Sequence, residues 1–411
     1  MREMKYSGVE WIGEIPKYWE IRQVRSLFEI GRGRVISQQE LDENGEYPVY
    51  SSQTKDDGCL GFINSYDYDV EQITWTTDGA NAGTVFIRNG KHNCTNICGT
   101  LQASDLSQNL RYQKYALEHI AYYHKRADTN GFKIMNNEMA AIRTICPPLF
   151  EQLRIADYLD AKCAQIDRAI ARQQEVIEKL KEYKLSVITE AVTKGLNPDV
   201  PMKDSGIEWI GEIPEHWDTF RIAALYYEVY EEGNDDLPIL SVSINTGVSD
   251  RELDDEEQDR VFVRSDDKSK YKRVQISDLT YNMMRAWQGA FGAVRVEGMV
   301  SPAYVVARPH KKEDLDSRYI EYLLRTTAAK EEMRRYSHGI ADFRLRLYWA
   351  YFKSMKICFP EKQEQEGIAD YIDKKSAQID SIITRKDGLI SKLTDYKKSL
   401  IYEIVTGKRE V

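Results

Sequence analysis

Apolar residues recur at steps of three and four over two long stretches of the chain. In the first stretch they are Ile155, Leu159, Cys163, Ile166, Ile170, Ile177, Leu180, Tyr183, Val187 and Ala191, and in the second they are Ile368, Ile372, Ile379, Ile383, Ile390, Leu393, Tyr396, Leu400 and Ile404. This spacing predicts two amphipathic helices. A stripe repeating about every 3.5 residues is typical of a coiled coil, and at about 1.5 Å per residue each helix would be roughly 60 Å long.

Prolines and glycines mark the ends of both predicted helices. Pro147-Pro148 and Pro360 prevent the helices from extending backward, and Gly195 and Gly407 follow their last turns. Both helices therefore have definite ends.

The chain before each helix has a different pattern. The stretches ITWTTDGANAGTVFIR (73–88) and VQISDLTYNMMRAWQGAFGAVRV (274–296) mix β-branched and aromatic residues with turn residues, which predicts short strands. Segments near 106–125 and 315–336 have helical spacing. Each of these regions is predicted to be an α/β module with its own core.

Two repeats with different offsets organise the chain. GVEWIGEIPKYW at 8–19 returns as GIEWIGEIPEHW at 206–217, an offset of 198, with nine of twelve positions identical. IADYLDAKCAQIDRAI at 155–170 returns as IADYIDKKSAQIDSII at 368–383, an offset of 213. The sequence is therefore an internal duplication in which a variable module precedes each helix. We predict modules at 1–150 and 198–360 and helical segments at 151–197 and 361–411.

One polar residue interrupts the apolar stripe at the same place in both helices, Gln173 in the first and Lys386 in the second. A polar residue in a seam can fix the register of a coiled coil. Alternatively, the seam opens there toward solvent or toward a module. The sequence leaves both interpretations open.

Charge is segregated along the chain. The net charge is −9, which by itself argues weakly against a nucleic-acid partner. However, residues 250–260 hold seven acids and two bases, whereas residues 264–273 hold five bases and two acids, and residues 334–346 hold four bases and one acid. An anion-binding face can therefore coexist with an acidic total.

The chain is expected to be a cytoplasmic protein of two or three domains. Its 411 residues exceed one ordinary core, and neither a signal peptide nor a membrane-spanning run is evident. The six cysteines form no CxxC pair, and the six histidines are not spaced to complete a zinc site. We therefore expect reduced thiols and no metal.

Motifs for catalysis are missing from the sequence. GRG at 31–33 is a lone GxG, CPPL at 146–149 lacks the amide and the aromatic residue of a methyltransferase motif, and no GxxxxGK[ST] loop occurs. Pro198-Asp199 is followed by no E-x-K that would suggest a metal-dependent nuclease. We expect no catalytic residues and no cofactor in this chain.

Four motifs resemble the specificity subunit of type I restriction-modification systems. They are GxEWIGEIPxxW, PPLFEQxxIADYLDxxxxxID, EKQEQxGIADYIDxxxxxID and VSPAYVV at 300–306, and together they extend over essentially the whole chain. The resemblance implies an α/β (α+β) fold with two target recognition domains separated by two long helices packed as an antiparallel coiled coil, in a pseudo-two-fold internal repeat.

The same resemblance implies a function and partners. Each module would read one half of an asymmetric bipartite site in double-stranded DNA, and the helices would set the spacing of the halves. Two modification (methyltransferase) subunits would dock on the chain, with restriction subunits joining the full complex. S-adenosylmethionine would be bound by the methyltransferase, and ATP and Mg by the restriction subunit. The complex would be an adenine methyltransferase and endonuclease, whereas this chain would be non-catalytic.

Polar and basic residues of the modules are the candidates for DNA contact, because amide, hydroxyl and guanidinium groups read base edges and cations bind phosphates. In the first module they are Ser51, Ser52, Gln53, Thr54, Lys55, Thr76, Asn81, Arg88, Lys91 and Asn93. In the second they are Ser241, Ser243, Asn245, Lys268, Lys270, Lys272, Arg273, Asn282, Arg285, Gln288, Arg344 and Arg346. Trp11, Trp19, Trp209 and Trp217 occur in both modules, and we expect them to pack each module against its helix.

Surfaces present in both halves are the candidates for a partner that binds twice. Beside the apolar stripes these residues are Asp157, Tyr158, Asp160, Gln165, Asp167, Asp370, Tyr371, Asp373, Gln378 and Asp380. Acids in a first helical turn also stabilise the helix dipole, so an ordinary helix surface is an equal alternative.

Two other functions stay open at this point. The chain could be a stand-alone nucleic-acid enzyme with an unrecognised site, which would show metal-dependent cleavage by the purified protein. It could also be a coiled-coil adaptor that binds only proteins, which specific DNA binding by the assembled complex would exclude.

Overall fold

Two long helices follow the two apolar stripes. The computed structural model describes residues 2–10, 12–129, 131–234, 236–253, 270–339 and 345–411. Its α-helices are α1 (Leu110–His124), α2 (Asn136–Ala141), α3 (Leu149–Lys194), α4 (Ile222–Leu225), α5 (Ser317–Leu324), α6 (Thr327–Arg335), α7 (Trp349–Phe352) and α8 (Lys362–Val405). No helix in these ranges is apolar over a length that could cross a membrane.

All described strands lie outside the two long helices, either before α3 or between α3 and α8. Those that precede α3 are β1 (Met4–Tyr6), β2 (Glu14–Pro16), β3 (Glu20–Gln23), β4 (Phe28–Arg32), β5 (Tyr47–Tyr50), β6 (Cys59–Ile63), β7 (Tyr68–Asp69), β8 (Gln72–Thr76), β9 (Asp78–Gly79), β10 (Val85–Arg88), β11 (Lys91–Cys94), β12 (Cys98–Ala103), β13 (Arg126–Asp128), β14 (Gly131–Lys133) and β15 (Arg143–Cys146). Those between α3 and α8 are β16 (Met202–Asp204), β17 (Glu212–Pro214), β18 (Asp218–Arg221), β19 (Tyr226–Glu228), β20 (Leu240–Ser243), β21 (Gly247–Glu252), β22 (Lys272–Val274), β23 (Leu279–Asn282), β24 (Phe291–Ala293), β25 (Gly298–Val300), β26 (Tyr304–Pro309) and β27 (Lys356–Phe359).

The chain divides into two units, and both divisions fall inside the long helices. The first unit is Met1–Gln174 with Asp387–Val411, and the second unit is Glu175–Lys386. The mixed α/β fold class is confirmed. The four predicted segments follow the repeats along the sequence, whereas the units follow contacts in space, so the segment boundaries stay a prediction.

Both units contain the same antiparallel sheet although the sequences of their strands differ. In the first unit the strand order is β10-β8-β12-β4, and in the second it is β24-β23-β26-β19. Large apolar side chains of each sheet lie in the core of its unit. Trp75 and Leu101 lie in one core beside Tyr112 of α1, and Tyr281 lies in the other beside Tyr319 of α5.

Each unit also contains two short strand pairs in and beside the repeated motifs, which we call the frame of the unit. β1 pairs with β2, and β16 pairs with β17 in the same register. The strand after each opening motif then pairs with the strand that leads into the long helix, β3 with β15 and β18 with β27. The segments that flank the two repeats, which are far apart in sequence, are therefore hydrogen-bonded to each other within each unit.

In the first unit the start of α3 pairs with the end of α8 in antiparallel orientation. Asp167 accepts from Lys397 at 2.7 Å. At the far end Arg2 contacts both Glu151, at 2.9 Å, and Glu410, at 3.1 Å. Residues of α8 complete the core of this unit, namely Leu400, Ile401, Ile404 and Val405.

In the second unit the roles of the helices are exchanged. Lys184 of α3 contacts Asp380 of α8 at 2.7 Å, and Gly195 lies beside Glu364. Ala191 and Val192, at the end of α3, belong to the core of this unit. Each module is thus completed by the end of the helix that follows the other module in sequence.

The repeated tryptophans pack where the helices end. Trp19 and Trp217 are buried against Gly407 and Gly195 respectively, glycines that follow the helix of the other module. Trp209 packs partly buried against the second core, and Trp11 lies outside the described residues.

Candidate nucleic-acid interface

One loop occupies the same place in both units, and the same backbone hydrogen bond closes its base in each. It joins β8 to β10 at residues 77–83 and β23 to β24 at residues 283–289. At its base Thr76 N donates to Thr84 O at 3.0 Å, and Asn282 N donates to Ala290 O at 3.1 Å. The two loops have equal length, because both pairs are eight residues apart.

A second anchor ties each loop to a neighbouring segment. Ile134 N donates to Thr77 O at 3.0 Å, and Leu347 N donates to Met283 O at 2.8 Å. Both loops also end on a glycine in the left-handed region, Gly83 with φ +88° and Gly289 with φ +108°. The backbone frame of the two loops is therefore shared, although their side chains are not.

A second polar turn lies beside the loop in the first unit. Asn81 Nδ2 donates to Ser52 O at 3.0 Å, which brings the candidates of 51–55 next to Asn81. Arg88 is bonded to the end of this turn, because its guanidinium donates to Asp57 Oδ2 at 3.0 Å. Asp56 and Asp57 have positive φ values of 50° and 53°.

The second unit repeats this arrangement with other residues. The turn 243–247 adjoins Gly289, whose Cβ position is 3.2 Å from Ile244 O. Ser243 Oγ accepts from Asn245 N at 3.0 Å, and Arg325 donates to Ile244 O at 3.1 Å. The structure therefore brings Ser243 and Asn245 close to the loop that carries Arg285 and Gln288.

The predicted DNA-contacting residues differ widely in exposure. The exposed ones are Thr54, Lys55, Lys91, Asn245, Lys270, Gln288 and Arg346. The half-buried ones are Ser52, Gln53, Asn81, Ser241, Ser243, Lys272, Arg273 and Arg285. The buried ones are Ser51, Thr76, Arg88, Asn93 and Asn282. Lys268 and Arg344 lie outside the described residues.

The buried candidates hold backbone in place. Asn93 Oδ1 accepts from Asp67 N at 3.0 Å, and its Nδ2 donates to Ser65 O at 2.8 Å. The guanidinium of Arg88 lies 3.6 Å from the centroid of the Tyr50 ring and donates to Thr74 Oγ1 at 3.2 Å. These side chains position the loops, and whether any of them contacts DNA stays a prediction.

Two basic candidates of the second unit are engaged inside that unit. Lys272 Nζ donates to Tyr304 O at 2.6 Å, and burial lowers the pKa of this lysine. Arg273 Nε donates to Glu297 Oε1 at 2.9 Å. A phosphate would have to compete with these partners.

Four of the candidate docking acids hold a module helix onto its long helix. Arg111 of α1 contacts Asp157 at 2.8 Å and Asp160 at 2.7 Å. In the second unit Arg318 of α5 contacts Asp370 and Asp373, both at 2.9 Å. The hydrogen bonds that Arg318 donates, first of all to Asp316, raise the pKa of its guanidinium.

The remaining docking candidates fall into two groups. Asp167 and Asp380 pair with the lysines of the antiparallel helix in their own units, and Tyr158 and Tyr371 pack partly buried against the two cores. Gln165 and Gln378 are exposed. Whether any of these residues binds a partner subunit stays a prediction.

A third repeat, at an offset of 207, was missed in the sequence. RYQKY at 111–115 and RYIEY at 318–322 share Arg-Tyr-x-x-Tyr, and this pattern could have revealed it. Its first tyrosine is fully buried in both units. Tyr112 OH donates to Ile145 O at 3.2 Å and lies 3.3 Å from Val405 O, whereas Tyr319 OH lies 3.0 Å from Val192 O and 3.4 Å from Cys358 O.

Repeated glutamines complete this frame. Gln152 Oε1 accepts from Asn109 N at 2.8 Å, and Gln365 Oε1 accepts from Asp316 N at 2.9 Å, at the starts of α1 and α5. Each glutamine also donates to the carbonyl of a repeated proline at 2.8 Å. These glutamine hydrogen bonds are therefore the same in both units.

Within the described ranges no three His, Cys, Asp or Glu side chains are grouped so that they could hold a metal ion. Burial raises the pKa of Cys98 to about 11 and that of Cys358 to about 12. Both thiols therefore remain protonated at neutral pH.

The fold is that of a type I restriction-modification protein. A chain from a solved structure, described as concerning complex assembly and conformational transition of the type I R-M system, matches 96% of this chain and 99% of its own length with a TM-score of 0.66 and 11% identity. At that identity the likeness concerns the fold.

Sequence comparisons identify the family. Residues 16–182 match the family described as Type I restriction modification DNA specificity domain. The Mycoplasma pneumoniae protein "Putative type I specificity subunit S.MpnORF201P" is 39% identical over 171 residues, which are 40% of this chain and 71% of that protein. The Methanocaldococcus jannaschii type I restriction enzyme MjaVIII specificity subunit is 24% identical over an alignment of 423 positions, which covers 97% of this chain and 94% of that protein.

The chain belongs to the family of type I restriction-modification specificity subunits, as its motifs predicted. Its matches to the first five Mycoplasma pneumoniae relatives span between 51% and 71% of those proteins' lengths.

Proposed function

We propose that this chain is a non-catalytic DNA-recognition subunit in which each unit reads one half of an asymmetric bipartite site. The observation that carries the proposal is the contrast between a common frame and different loops. Residues 77–83 read TDGANAG and residues 283–289 read MMRAWQG on the same backbone anchors. Side chains that discriminate bases must differ between modules with different targets, whereas the parts that hold them need not.

The two long helices would determine the separation of the half-sites. α3 has 46 residues and α8 has 44, so at about 1.5 Å per residue each is close to 70 Å long. One turn of DNA is about 34 Å, and helices of this length suit half-sites one to two turns apart. The antiparallel pairing within each unit, through Asp167 and Lys397 or Lys184 and Asp380, supports this role because it holds the helices in register.

The repeated surfaces of the frame would bind a partner that is present twice, namely two methyltransferase subunits, with restriction subunits joining through the complex. Six members of the candidate set are exposed, three in each unit: Asp157, Gln165 and Asp167 in the first, and Asp370, Gln378 and Asp380 in the second. S-adenosylmethionine would be held by the methyltransferase, and ATP and Mg by the restriction subunit. A cytoplasmic location agrees with these partners.

Methylation mapping tests the proposal. The chain, reconstituted with its methyltransferase and S-adenosylmethionine, is expected to modify duplex DNA at one two-part motif separated by a constant gap. Methylation without a common motif would contradict it. Metal-dependent cleavage by the purified chain alone would favour the nuclease alternative, and an assembled complex with no specific DNA binding would favour the protein-only adaptor.

Lengthening both helices should change the number of base pairs between the two half-sites and leave the half-site sequences unchanged. Four residues inserted between 174 and 175 and four between 386 and 387 are expected to extend each helix by ~6 Å, which corresponds to about two base pairs. Methylated motifs should therefore show a gap wider by about two base pairs and unchanged half-sites. Substitution of four residues at each place, without insertion, is the control. A changed half-site with a constant gap would exclude the spacing role.

A further inference from the structure

The loop 283–289 of the second unit carries the longest polar side chains on the shared frame. Arg285 is half-buried and Gln288 is exposed, whereas the equivalent positions of the first unit, 79 and 82, are glycine and alanine. At these two positions the second unit therefore has side chains that can donate hydrogen bonds, and the first unit has none. The loops have the same length and anchors, although residues 78–79 of the first form β9 and residues 286–288 of the second form a 3-10 helix.

Within the part of the chain that the structure describes, Arg285 differs from its neighbouring arginines in forming no ion pair with a carboxylate. Arg273 contacts Glu297, Arg308 contacts Asp278 at 2.9 Å, and Arg325 contacts Glu321 at 3.4 Å. Among the residues that the structure describes, no carboxylate forms an ion pair with Arg285. A half-buried guanidinium without a counter-charge retains hydrogen-bond donors that a ligand can use.

The loop is stiffened around these two side chains. Trp287 Nε1 donates to Met284 O at 3.2 Å, and the Arg334 guanidinium lies 5.7 Å from the Trp287 ring centroid. Gly289 is held against Ile244 O and the Lys330 side chain, where a Cβ would lie 3.2 and 3.5 Å away. Rigid presentation reduces the entropy that a side chain loses on binding.

We propose that loop 283–289 is the base-reading element of the second unit, with Arg285 and Gln288 binding purine edges in the major groove of that unit's half-site. The inference rests on the proposed function. Arg donates two parallel hydrogen bonds to guanine O6 and N7, and Gln pairs with adenine N6 and N7. Lys272 and Arg273 are less suited to this task because their donors are occupied by Tyr304 and Glu297.

Motif mapping with single variants tests this assignment. In the reconstituted methyltransferase complex, Arg285→Ala is expected to lower discrimination roughly 5- to 150-fold at one base pair of one half-site. Gln288→Ala should do the same at a different base pair of the same half-site. Arg285→Lys should also relax the preference, because an ammonium group does not reproduce the planar pair of donors.

Control measurements separate this role from a structural or electrostatic one. Arg335→Ala on α6, where Arg335 contacts Glu208 and Glu332, is expected to leave the motif unchanged. If Arg285→Ala and Gln288→Ala both slow methylation uniformly and keep the motif, the inference is overturned. Changes in the other half-site would overturn it as well. Methylation by the unsubstituted complex without any shared motif would instead contradict the proposed function itself.

Discussion

Replacing Leu400 and Ile404 together by alanine is expected to unfold the first unit while the second unit keeps its structure. Both side chains are buried, at 1% and 0% exposure, in a core that also contains Leu159 and Cys163 of α3. Each truncation costs about 2–5 kcal/mol, and the sum is comparable with the ~5–15 kcal/mol that stabilises a typical domain. Hydrogen exchange should show lost protection in β8 and α1 and retained protection in β23 and α5.

The control for this double variant is on the same helix. Leu389 is 43% exposed, so Leu389→Ala should change the free energy of unfolding by no more than about 0.5 kcal/mol. Equal loss of protection in both units, or none in the first, would show that the end of α8 does not complete the first core.

Gly407→Ala should destabilise the protein more than alanine at any other repeated glycine of the frame. Gly407 has φ +71°, and a Cβ there would lie 2.4 Å from Pro16 Cδ and 2.9 Å from Trp19 Cζ3. The left-handed conformation costs alanine about 1–2 kcal/mol, and overpacking adds about 1–3 kcal/mol. Chemical denaturation would measure the total.

Substitutions at two other glycines separate the cost of the left-handed backbone from the cost of overpacking. Gly206 has φ +66° and no atom within 4 Å of a Cβ, so Gly206→Ala should show the backbone cost alone. Gly195→Ala should fall between the two, because its Cβ would approach Glu364 Oε1 at 3.2 Å and Trp217 at 3.3 Å. Equal losses for Gly407→Ala and Gly206→Ala would contradict the close packing of Gly407 on the opening motif.

Local sequence patterns predict which residues are polar but not which of them are buried. Asn81 and Ser52 are both polar residues of predicted loops, and the structure joins them by a hydrogen bond. Arg88 and Asn93 have the same residue chemistry and are buried. Polar residue type is visible in a sequence, whereas burial depends on contacts with residues far along the chain, such as Asp57 for Arg88 and Ser65 for Asn93.

The acids of the long helices show the same limit. Asp160 and Asp373 repeat at an offset of 213, which a conserved partner surface would also produce. In the structure they bind Arg111 and Arg318, whose own repeat has an offset of 207. The Arg-Tyr-x-x-Tyr repeat places an arginine in each module, and the helix repeat places an aspartate in each long helix. Together the two repeats indicate an ion pair within each unit.

The sequence by itself determined the duplication, the two long helices with their ends, and the modules with different loops. These features follow from residue spacing and from local backbone preferences, which need no distant contact. Only the tertiary structure decided that the end of α8, with Ile404, completes the first core and that the end of α3, with Val192, completes the second. An apolar stripe requires burial but does not specify its partner, because apolar contact is non-directional and the choice depends on the whole antiparallel arrangement.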